Sequence, residues 1–393
     1  MQHASTIDLS KSLFIRVLYA MLRAGEAPPG ATVTFLPRGK AGTSAGRTTK
    51  TPHSGQSSLA RVGGSCDDAI VPGRNQRKGR LMTDIVHVEN LVKRYDDLIA
   101  LDHFNLSIAP GEIFGLLGPN GSGKTTSINC ILQLLAYDKG TIELFGEPMT
   151  PARYDLKRRI GVVPQQVAVF DELTVRENID YFCSLYVNDR KRRRAMVDEA
   201  IDFVGLGDFT KFRPGKLSGG LARRLNIACG IAHKPELIFF DEPTVAVDPQ
   251  SRNAILEGIC RLRDEGATVV YTSHYMEEVE QICSRIMIMD GGRVLAQGTN
   301  DELKRMIQMG ERVTVEVGAV EAATVERLRA HEHVLSVELS GGELVCTCEA
   351  SPHNLVDILD TLRAADVALG RVWSEPPTLN DVFLEITGRE LRD

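Results

Sequence analysis

A glycine-rich stretch between an apolar run and a helical pattern could bind phosphate groups. Residues 118–125 read Gly-Pro-Asn-Gly-Ser-Gly-Lys-Thr, after the apolar residues 113–117 and before a helical pattern that continues to 135. Glycines let backbone N–H groups approach phosphate oxygens, and the helix N-terminus adds partial positive charge. This context favours a phosphate loop over a turn that only caps a helix. Lys124 would reach the β- and γ-phosphates of a nucleotide, and the Thr125 hydroxyl would bind Mg²⁺.

Two adjacent carboxylates follow a second apolar run. Residues 237–240 are all apolar, as is typical of a buried parallel strand, and Asp241 and Glu242 come directly after them. In such sheets catalytic groups lie at the carboxyl ends of strands, beside the phosphate loop. Asp241 would hold Mg²⁺, and Glu242 would polarise the attacking water as a general base. Taken alone, the pair could equally cap a loop.

The order of these motifs resembles that of the ATP-binding cassette ATPases. Between the two segments lies Leu217-Ser218-Gly219-Gly220, which other phosphate-loop ATPases do not carry there, and the resemblance covers roughly residues 82–305. It implies that two cassettes meet head to tail, with each ATP held between the phosphate loop of one chain and the Ser218 segment of the other. The nucleotide-binding residues that it implies are Tyr95, Gly118, Pro119, Asn120, Gly121, Ser122, Gly123, Lys124, Thr125, Thr126, Ser218, Gly219, Gly220 and Asp248.

Four residues take their expected roles from the same resemblance. Tyr95 matches an aromatic residue that stacks on adenine, although alone it would be a surface tyrosine. Gln165 matches a glutamine that senses Mg²⁺ and water, and His274 matches a histidine that contacts the γ-phosphate and holds the catalytic water. Asp248 would orient the opposing phosphate loop; elsewhere it would be an ordinary helix N-cap. The expected catalytic residues are Glu242, His274 and Gln165, and the expected Mg²⁺ ligands are Thr125, Gln165 and Asp241.

Two residues depart from the family pattern. Leu221 stands where the family most often has Gln, and Ala246 stands where many members have Gly. Neither change removes a residue that is expected to touch nucleotide or metal, so we expect a competent ATPase. The class of transported substrate and the strength of coupling stay open.

A basic leader precedes the folded part of the chain. Residues 1–81 carry twelve Lys and Arg against four Asp and Glu, and from about residue 24 they show neither helical nor strand periodicity. We predict that this leader is largely disordered. Met82 could be the initiator of an over-extended reading frame, and a transit peptide is the alternative. The remaining residues carry an acidic excess, which argues against nucleic acid as the main partner.

Apolar periodicity predicts an α/β fold with a smaller appended domain. Residues 82–310 alternate strands and amphipathic helices, which predicts a phosphate-loop ATPase cassette with a mixed, largely parallel sheet and a helical subdomain at about 166–216. Residues 311–393 begin with the order βαββαβ, which is ferredoxin-like α+β. A closing helix is predicted from Leu379 to Thr387, ending at Gly388.

The appended domain gives the best sequence clue to direction of transport. Its ending, residues 377–393, resembles the small domain that follows the cassette in bacterial drug, antibiotic and polysaccharide exporters. That resemblance implies two cassettes, identical or not, on a separately encoded multi-spanning permease, at the cytoplasmic face of the cell membrane. No apolar run approaches the roughly 20 residues of a membrane-spanning helix. The eight cysteines form no CxxC pair or Cys/His cluster, so free thiols in a reducing cytosol are expected.

Three other functions stay open from the sequence. A soluble cassette protein acting on ribosomes or DNA would usually carry two cassettes, long coiled coils or zinc-binding cysteines, which this chain does not show. A nucleotide sensor with little turnover is opposed by the intact Asp241, Glu242 and His274. An importer would use the same chemistry, and the sequence does not name the cargo.

Overall fold

The computed structural model describes residues 84–388, so the prediction of a disordered leader lies outside the described residues. The strands are β1 (Val86–Tyr95), β2 (Leu98–Ile108), β3 (Ile113–Leu117), β4 (Lys139–Leu144), β5 (Glu147–Pro148), β6 (Ile160–Val163), β7 (Leu237–Asp241), β8 (Thr268–Ser273), β9 (Arg285–Asp290), β10 (Arg293–Gly298), β11 (Met309–Val317), β12 (Val334–Ser340), β13 (Glu343–Glu349) and β14 (Leu369–Glu375). The α-helices are α1 (Lys124–Ile131), α2 (Tyr154–Lys157), α3 (Val175–Ser184), α4 (Arg190–Phe203), α5 (Gly219–Ile231), α6 (Pro249–Asp264), α7 (Met276–Ile282), α8 (Asn300–Lys304), α9 (Ala322–Arg329), α10 (Asn354–Ala364) and α11 (Leu379–Thr387). No described helix is both long and apolar enough to cross a membrane.

The central sheet has six strands in the order β10-β9-β3-β8-β7-β6. Neighbouring strands are parallel except for β9 and β10, which pair antiparallel. Every residue of β3 and β7 is buried, which explains why both strands are almost wholly apolar in sequence. The carboxyl ends of β3, β7 and β8 meet at one edge of this sheet, and the loops that leave them carry the phosphate loop, Glu242 and His274.

A second sheet lies against the first, in the order β2-β1-β4-β5, and all its pairs are antiparallel. The sequence pattern predicts one largely parallel sheet, and it does not distinguish this second, antiparallel sheet from the central one. The two sheets share one apolar core, in which Phe104 of β2 packs with Phe114 of β3 and Phe239 of β7. The phosphate-loop helix α1 contributes Ile128 and Ile131 to the same core. It ends at Ile131, earlier than the predicted limit near residue 135.

The helices α3, α4 and α5 build a helical layer with a core of its own. Its buried residues include Ile179 and Phe182 of α3, Val197 of α4 and Leu225 of α5. A capping box at Thr174 fixes the start of α3 within the predicted helical subdomain. The helix α5 begins directly after Ser218, so its N-terminus carries the Ser218 segment.

The C-terminal domain is ferredoxin-like, as the sequence predicts. Its antiparallel sheet has the order β12-β13-β11-β14, and the helices α9 and α10 contribute Leu328, Ile358 and Leu362 to a core with Cys346 and Cys348 of β13. The closing helix α11 ends at Gly388, whose positive φ terminates it. This last helix buries Leu379, Val382 and Phe383 in the cassette core with residues of α7 and α8. The predicted domain limits at 81, 310 and 393 stay a prediction.

Candidate functional site

The phosphate loop links β3 to α1 through a backbone that glycine permits. Gly121 and Gly123 have φ angles of 83° and 105°, which disfavour any residue with a Cβ atom. A Cβ atom on Gly118 would lie 2.3 Å from the carbonyl oxygen of Met289. The hydroxyl oxygen of Ser122 is buried, and no described residue gives it a hydrogen-bond partner. A buried polar atom without a partner is uncommon, and here it lies where the motif predicts phosphate oxygens.

Lys124 is the first residue of α1, and its side chain is only 4% exposed. Its Nζ donates hydrogen bonds to the carbonyl oxygens of Gly118, at 2.7 Å, and Pro119, at 3.1 Å. The same atom lies 3.4 Å from Oε1 of Glu242. Burial lowers the pKa of Lys124, while the charges of Glu242 and Asp241 oppose that shift. The lysine therefore bears a buried positive charge that an additional anion would stabilise.

Asp241, the last residue of β7, lies beside the phosphate loop. Its carboxylate accepts hydrogen bonds from the hydroxyls of Thr125, at 2.9 Å, and Thr272, at 2.8 Å. Burial raises the pKa of Asp241, and the two hydroxyl donors lower it. The predicted partners Thr125 and Asp241, which are 116 residues apart in sequence, are thus in direct contact.

Glu242 is the residue around which the predicted catalytic side chains gather. It is 5% exposed and accepts a hydrogen bond at Oε2 from Nε2 of Gln165, at 2.9 Å. Its Oε1 lies 3.4 Å from Nζ of Lys124 and 3.5 Å from Nδ1 of His274. The backbone N–H of Glu242 donates to the Thr272 hydroxyl at 2.9 Å, which fixes the residue relative to Asp241. A carboxylate so placed can accept a proton from a water molecule bound next to it.

Arg223 is a buried residue of this region that the sequence analysis does not single out. Its guanidinium, 3% exposed, donates to the carbonyl oxygens of Pro164, Gln165 and Pro243, at 2.9, 2.7 and 2.6 Å, and also to that of Glu242. Burial lowers the pKa of Arg223. One side chain thus joins the Gln165 loop to the Glu242 loop. The only sequence signal is a pair of arginines in an otherwise small and apolar helix.

The Ser218 segment forms a second group, and the described hydrogen bonds do not connect it to the phosphate loop of the same chain. Ser218 caps α5 by accepting from the N–H of Leu221 at 3.3 Å, and Ser218 and Gly219 are exposed. Gly220 is buried against α6, where a Cβ atom would lie 2.6 Å from the hydroxyl of Ser251. Asp248 caps α6 by accepting from the N–H of Ser251 at 2.9 Å. The Ser218 segment and Asp248 therefore lie together where α5 and α6 begin.

The other predicted nucleotide contacts are Tyr95 at the end of β1 and the remaining residues of the phosphate loop and α1. Tyr95 ends β1 with 45% of its surface exposed, and Nζ of Lys93 lies 4.8 Å from its ring centre. The following strand β2 passes the loop closely, since the Ala100 carbonyl oxygen lies 2.8 Å from where a Cβ atom of Gly123 would be. The remaining loop residues, Pro119, Asn120, Gly121 and Thr126, all retain some exposed surface.

Ala246 adopts the backbone conformation that glycine favours. Its φ is 57°, in the left-handed region, and it lies in the loop between Glu242 and Asp248. Ala246 therefore occupies a left-handed backbone position that glycine adopts without strain and that is unfavourable for a residue with a Cβ atom.

Two family models match the chain. The model described as ABC transporter matches residues 101–245. The model described as ATP-binding protein DrrA1-3-like, C-terminal domain, matches residues 298–387. The first match includes the phosphate loop, Gln165, the Ser218 segment, Asp241 and Glu242, and the second includes the ferredoxin-like domain.

Relatives are similar along nearly their whole length. The linearmycin resistance ATP-binding protein LnrL of Bacillus subtilis is 37% identical over 311 residues, which is 79% of this chain and all of the relative. The daunorubicin resistance ATP-binding protein DrrA3 of Streptomyces coeruleorubidus is 36% identical over 78% of this chain and 97% of its own length. The Nod factor export ATP-binding protein I of Burkholderia thailandensis is 35% identical over 78% of this chain and 98% of its own length.

Solved structures share the cassette fold. An ATP-binding subunit of an ABC transporter aligns with a TM-score of 0.53 and 25% identity over 56% of this chain and 92% of its own length. A dimeric ATP-binding cassette in a post-hydrolysis state with ADP and phosphate aligns with a TM-score of 0.51 and 28% identity over 55% of this chain and 98% of its own length.

Proposed function

Because the chain belongs to the ATP-binding cassette family, and to its drug-exporter branch, we propose that it binds and hydrolyses ATP to drive export through a separate membrane permease. Its relatives named for linearmycin and daunorubicin resistance and for Nod factor export are matched over nearly their full length, appended domain included. Drugs or other small molecules are therefore the cargo class that we propose.

The observation that carries the hydrolytic role is the environment of Glu242. Its two carboxylate oxygens lie within 3.5 Å of Lys124, Gln165 and His274, at the edge where the parallel strands end. In the proposed mechanism Glu242 accepts a proton from the attacking water, and His274 and Gln165 hold that water in line with the γ-phosphate. Before this step, ATP binding moves Lys124 from its contact with Glu242 to the β- and γ-phosphate oxygens. The water oxygen then bonds to the γ-phosphorus as the bond from that phosphorus to the departing ADP oxygen breaks, which yields ADP and phosphate.

The residues around Asp241 fit Mg²⁺, which prefers oxygen ligands in a polar site. Asp241 supplies a carboxylate and Thr125 a hydroxyl, and the two groups are hydrogen-bonded to each other. The Gln165 side chain donates a hydrogen bond to Glu242, the residue after Asp241. We propose that Thr125, Asp241 and Gln165 hold the ion. When bound, Mg²⁺ neutralises part of the negative charge on the phosphates. Burial raises the pKa of Asp241 because it disfavours the ionised carboxylate. A bound cation would stabilise that ionised form.

The exposed Ser218 segment supports a nucleotide shared between two cassettes. Ser218 and Gly219 present the N-terminus of α5 to solvent, and such an N-terminus favours anions. We propose that this segment binds the γ-phosphate of ATP on a second cassette, identical or related, while Asp248 faces the phosphate loop across that interface. Tyr95 would stack on adenine. The dimeric relative with ADP and phosphate supports this arrangement.

The partner that we propose is a permease with several membrane spans, and the site of action is the cytoplasmic face of the cell membrane. The relatives named as resistance and export ATP-binding proteins support a separate permease. Nucleic acid is not expected as a partner, because the part of the chain after residue 81 is acidic. Recovery of a multi-spanning protein with this chain from detergent-solubilised membranes would support the proposal, whereas recovery with ribosomes would contradict it.

The decisive variant for hydrolysis is Glu242→Gln, which keeps the shape of the side chain and removes its basicity. We expect the rate of ATP hydrolysis to fall by about 10² to 10⁴, while ATP still induces dimers in size-exclusion chromatography. Glu265→Gln, at an exposed position at the end of α6, is the matched control and should leave the rate unchanged. Normal turnover by Glu242→Gln would show that another group is the base.

A further inference from the structure

Glu278 is a buried carboxylate on the first turn of α7, and it is not one of the residues proposed to bind nucleotide, Mg²⁺ or water. Its side chain is 3% exposed. One oxygen, Oε2, accepts hydrogen bonds from the hydroxyls of Thr244 at 2.8 Å, Tyr271 at 2.7 Å and Ser273 at 3.0 Å. The other, Oε1, lies 3.3 Å from Nε of Arg252. A single oxygen thus accepts hydrogen bonds from two residues of β8 and from one residue of the loop that follows β7.

The donors reach the proposed catalytic residues from both sides. Thr244 is two residues after Glu242 in the same loop. The Ser273 hydroxyl that donates to Glu278 also accepts the backbone N–H of Tyr275, at 2.9 Å. Ser273 and Tyr275 are the two neighbours of His274, so this hydroxyl bridges the backbone around the histidine. Glu278 therefore restrains the loops of Glu242 and His274 through one oxygen.

Arg252 extends the same network to the proposed dimer surface. It lies on the first turn of α6, the helix that Asp248 caps, and its guanidinium carbon lies 4.8 Å from the ring centre of Tyr275. Within the described residues, neither its Nε nor Oε1 of Glu278 makes a hydrogen bond despite their 3.3 Å separation. The contact between Arg252 and Glu278 is therefore an ion pair without a hydrogen bond, and it joins α6 to α7 through charge attraction.

Stability alone does not account for a carboxylate at this place. A buried ion pair commonly stabilises a protein less than apolar side chains of similar volume would. Burial and the Glu278 carboxylate raise the pKa of Tyr271, so this phenol remains a donor to Glu278 at neutral pH. Glu278 thus lies beside loops where small displacements affect the reaction rate most.

We propose that Glu278 is a positioning residue for ATP hydrolysis, which holds the Glu242 and His274 loops at their working separation and links both to the N-terminus of α6. This inference rests on the roles proposed above for Glu242 and His274. Glu278 touches neither nucleotide nor water in this proposal. It acts through Thr244, Ser273 and Arg252.

A matched pair of hydroxyl deletions tests the proposal. Ser273→Ala and Tyr271→Phe each remove one donor from Oε2 of Glu278, but only Ser273 also binds the backbone beside His274. We expect Ser273→Ala to lower kcat about tenfold or more, with the Kd for ATP unchanged, and Tyr271→Phe to change kcat less than twofold. Glu278→Gln should resemble Ser273→Ala in kcat and in its unchanged Kd for ATP. The Kd is measured with a fluorescent ATP analogue and the melting temperature by calorimetry.

The outcomes separate positioning from simple packing. If Ser273→Ala and Tyr271→Phe lower kcat equally, in step with their melting temperatures, Glu278 is structural and the proposal is overturned. Because Ser273→Ala also removes the bond to the Tyr275 N–H, Thr244→Val provides a second test, since it removes a donor from the same oxygen of Glu278 on the Glu242 side. An unchanged kcat in Thr244→Val would overturn the proposal even if Glu278→Gln fails to fold. Normal hydrolysis by Glu242→Gln would instead contradict the assigned base, and it would do so whatever the pair shows.

Discussion

The catalytic edge of the cassette consists of the phosphate loop and the loops that carry the proposed catalytic residues Glu242 and His274. It buries different kinds of side chain from those in the core of the C-terminal domain. Around the phosphate loop the buried residues include five charged ones, namely Lys124, Arg223, Asp241, Glu242 and Glu278. In the described part of the ferredoxin-like domain up to β14, the buried polar residues are the uncharged Thr314, Thr324 and Asn354. Burying a charge costs free energy unless partners offset it. The charges are thus concentrated where proposed chemistry requires them.

This difference distinguishes apolar contacts, which stabilise the fold, from buried charged contacts, which position the groups of the proposed reaction. In the C-terminal domain, apolar side chains from one face of the sheet and from the helices α9 and α10 pack around Cys346 and Cys348. Burial raises the pKa of Cys346 to about 12 and that of Cys348 to about 11, so both thiols stay protonated and behave as small apolar groups. Substitutions in the two regions should therefore have separable effects on stability and on turnover.

The largest effect on both properties is expected for Arg223→Met. The change removes the guanidinium donor from four carbonyl oxygens of the Gln165 and Glu242 loops. The oxygen of Pro164 keeps a bond from Nδ2 of Asn226 at 3.2 Å and that of Glu242 a long one from the N–H of Val245 at 3.5 Å, whereas those of Gln165 and Pro243 lose the arginine without such a replacement. Breaking a buried charged network typically costs about 3 to 5 kcal/mol, and we expect ATP hydrolysis to be lost as the two loops separate. Thermal unfolding and steady-state hydrolysis measure the two effects.

The neighbouring Arg224→Met is the matched control for that experiment. Among the described residues, Nε of Arg224 has no hydrogen-bond partner, and the side chain is partly exposed. We expect it to lower stability by less than about 1 kcal/mol and to retain most of the activity. Equal effects of the two substitutions would contradict the role that the structure gives to Arg223.

Local sequence patterns predict those strands well in which apolar residues run continuously or alternate. The limits of β3 coincide with the predicted apolar run, and the alternation in β11 and β13 predicted both strands, because period-two burial is a local signal. The separate antiparallel sheet was not distinguished, since strand pairing depends on distant segments. Arg223 and Glu278 were not found for the same reason: a charged residue in a helix is usually exposed, and only its tertiary contacts show otherwise.

The site predictions differ in how far the structure bears on them. The contacts among Lys124, Thr125, Gln165, Asp241 and Glu242 agree with a motif whose spacing and strand ends were readable in sequence. The Ser218 segment could not be assigned a target from this chain, because its expected partner is on another cassette. Motif order therefore predicted the chemistry, whereas the supporting residues required the fold.

A smaller effect, confined to stability, is expected for Ile358→Ala. Ile358 on α10 is 1% exposed in the C-terminal core, and its truncation should cost about 2 to 4 kcal/mol. Hydrolysis at 25 °C should change less than twofold, because the core contains no residue of the proposed site. Val356→Ala on the same helix, 54% exposed, is the control and should alter stability by under about 0.5 kcal/mol. A fall in kcat with Ile358→Ala, at a temperature where the protein is folded, would show that the domain controls turnover.

The smallest effect concerns the pH dependence of a buried histidine in the cassette. His233, which is 8% exposed, donates from Nε2 to the Ile160 carbonyl oxygen at 3.1 Å and stacks on Tyr186 with ring centres 3.6 Å apart. Burial lowers the pKa of His233 to about 4, against about 6.5 in an unfolded chain. Between these values the unfolded chain binds a proton that the folded chain does not. The free energy of unfolding must therefore fall as pH falls through this window, by up to about 1.4 kcal/mol per pH unit.

His233→Phe should remove that dependence while keeping an aromatic ring against Tyr186. Between pH 7 and pH 5 we expect the free energy of unfolding of the unsubstituted protein to decrease by about 2 kcal/mol more than that of the variant, as measured by urea titration at each pH. The comparison uses the change with pH, so a constant difference caused by the lost bond to Ile160 does not affect it. Equal pH slopes would mean that the folded protein protonates His233 as readily as the unfolded chain does. The buried polar groups of the cassette would then be less costly than their surroundings indicate, and the contrast with the C-terminal core would rest on the charged residues of the catalytic edge alone.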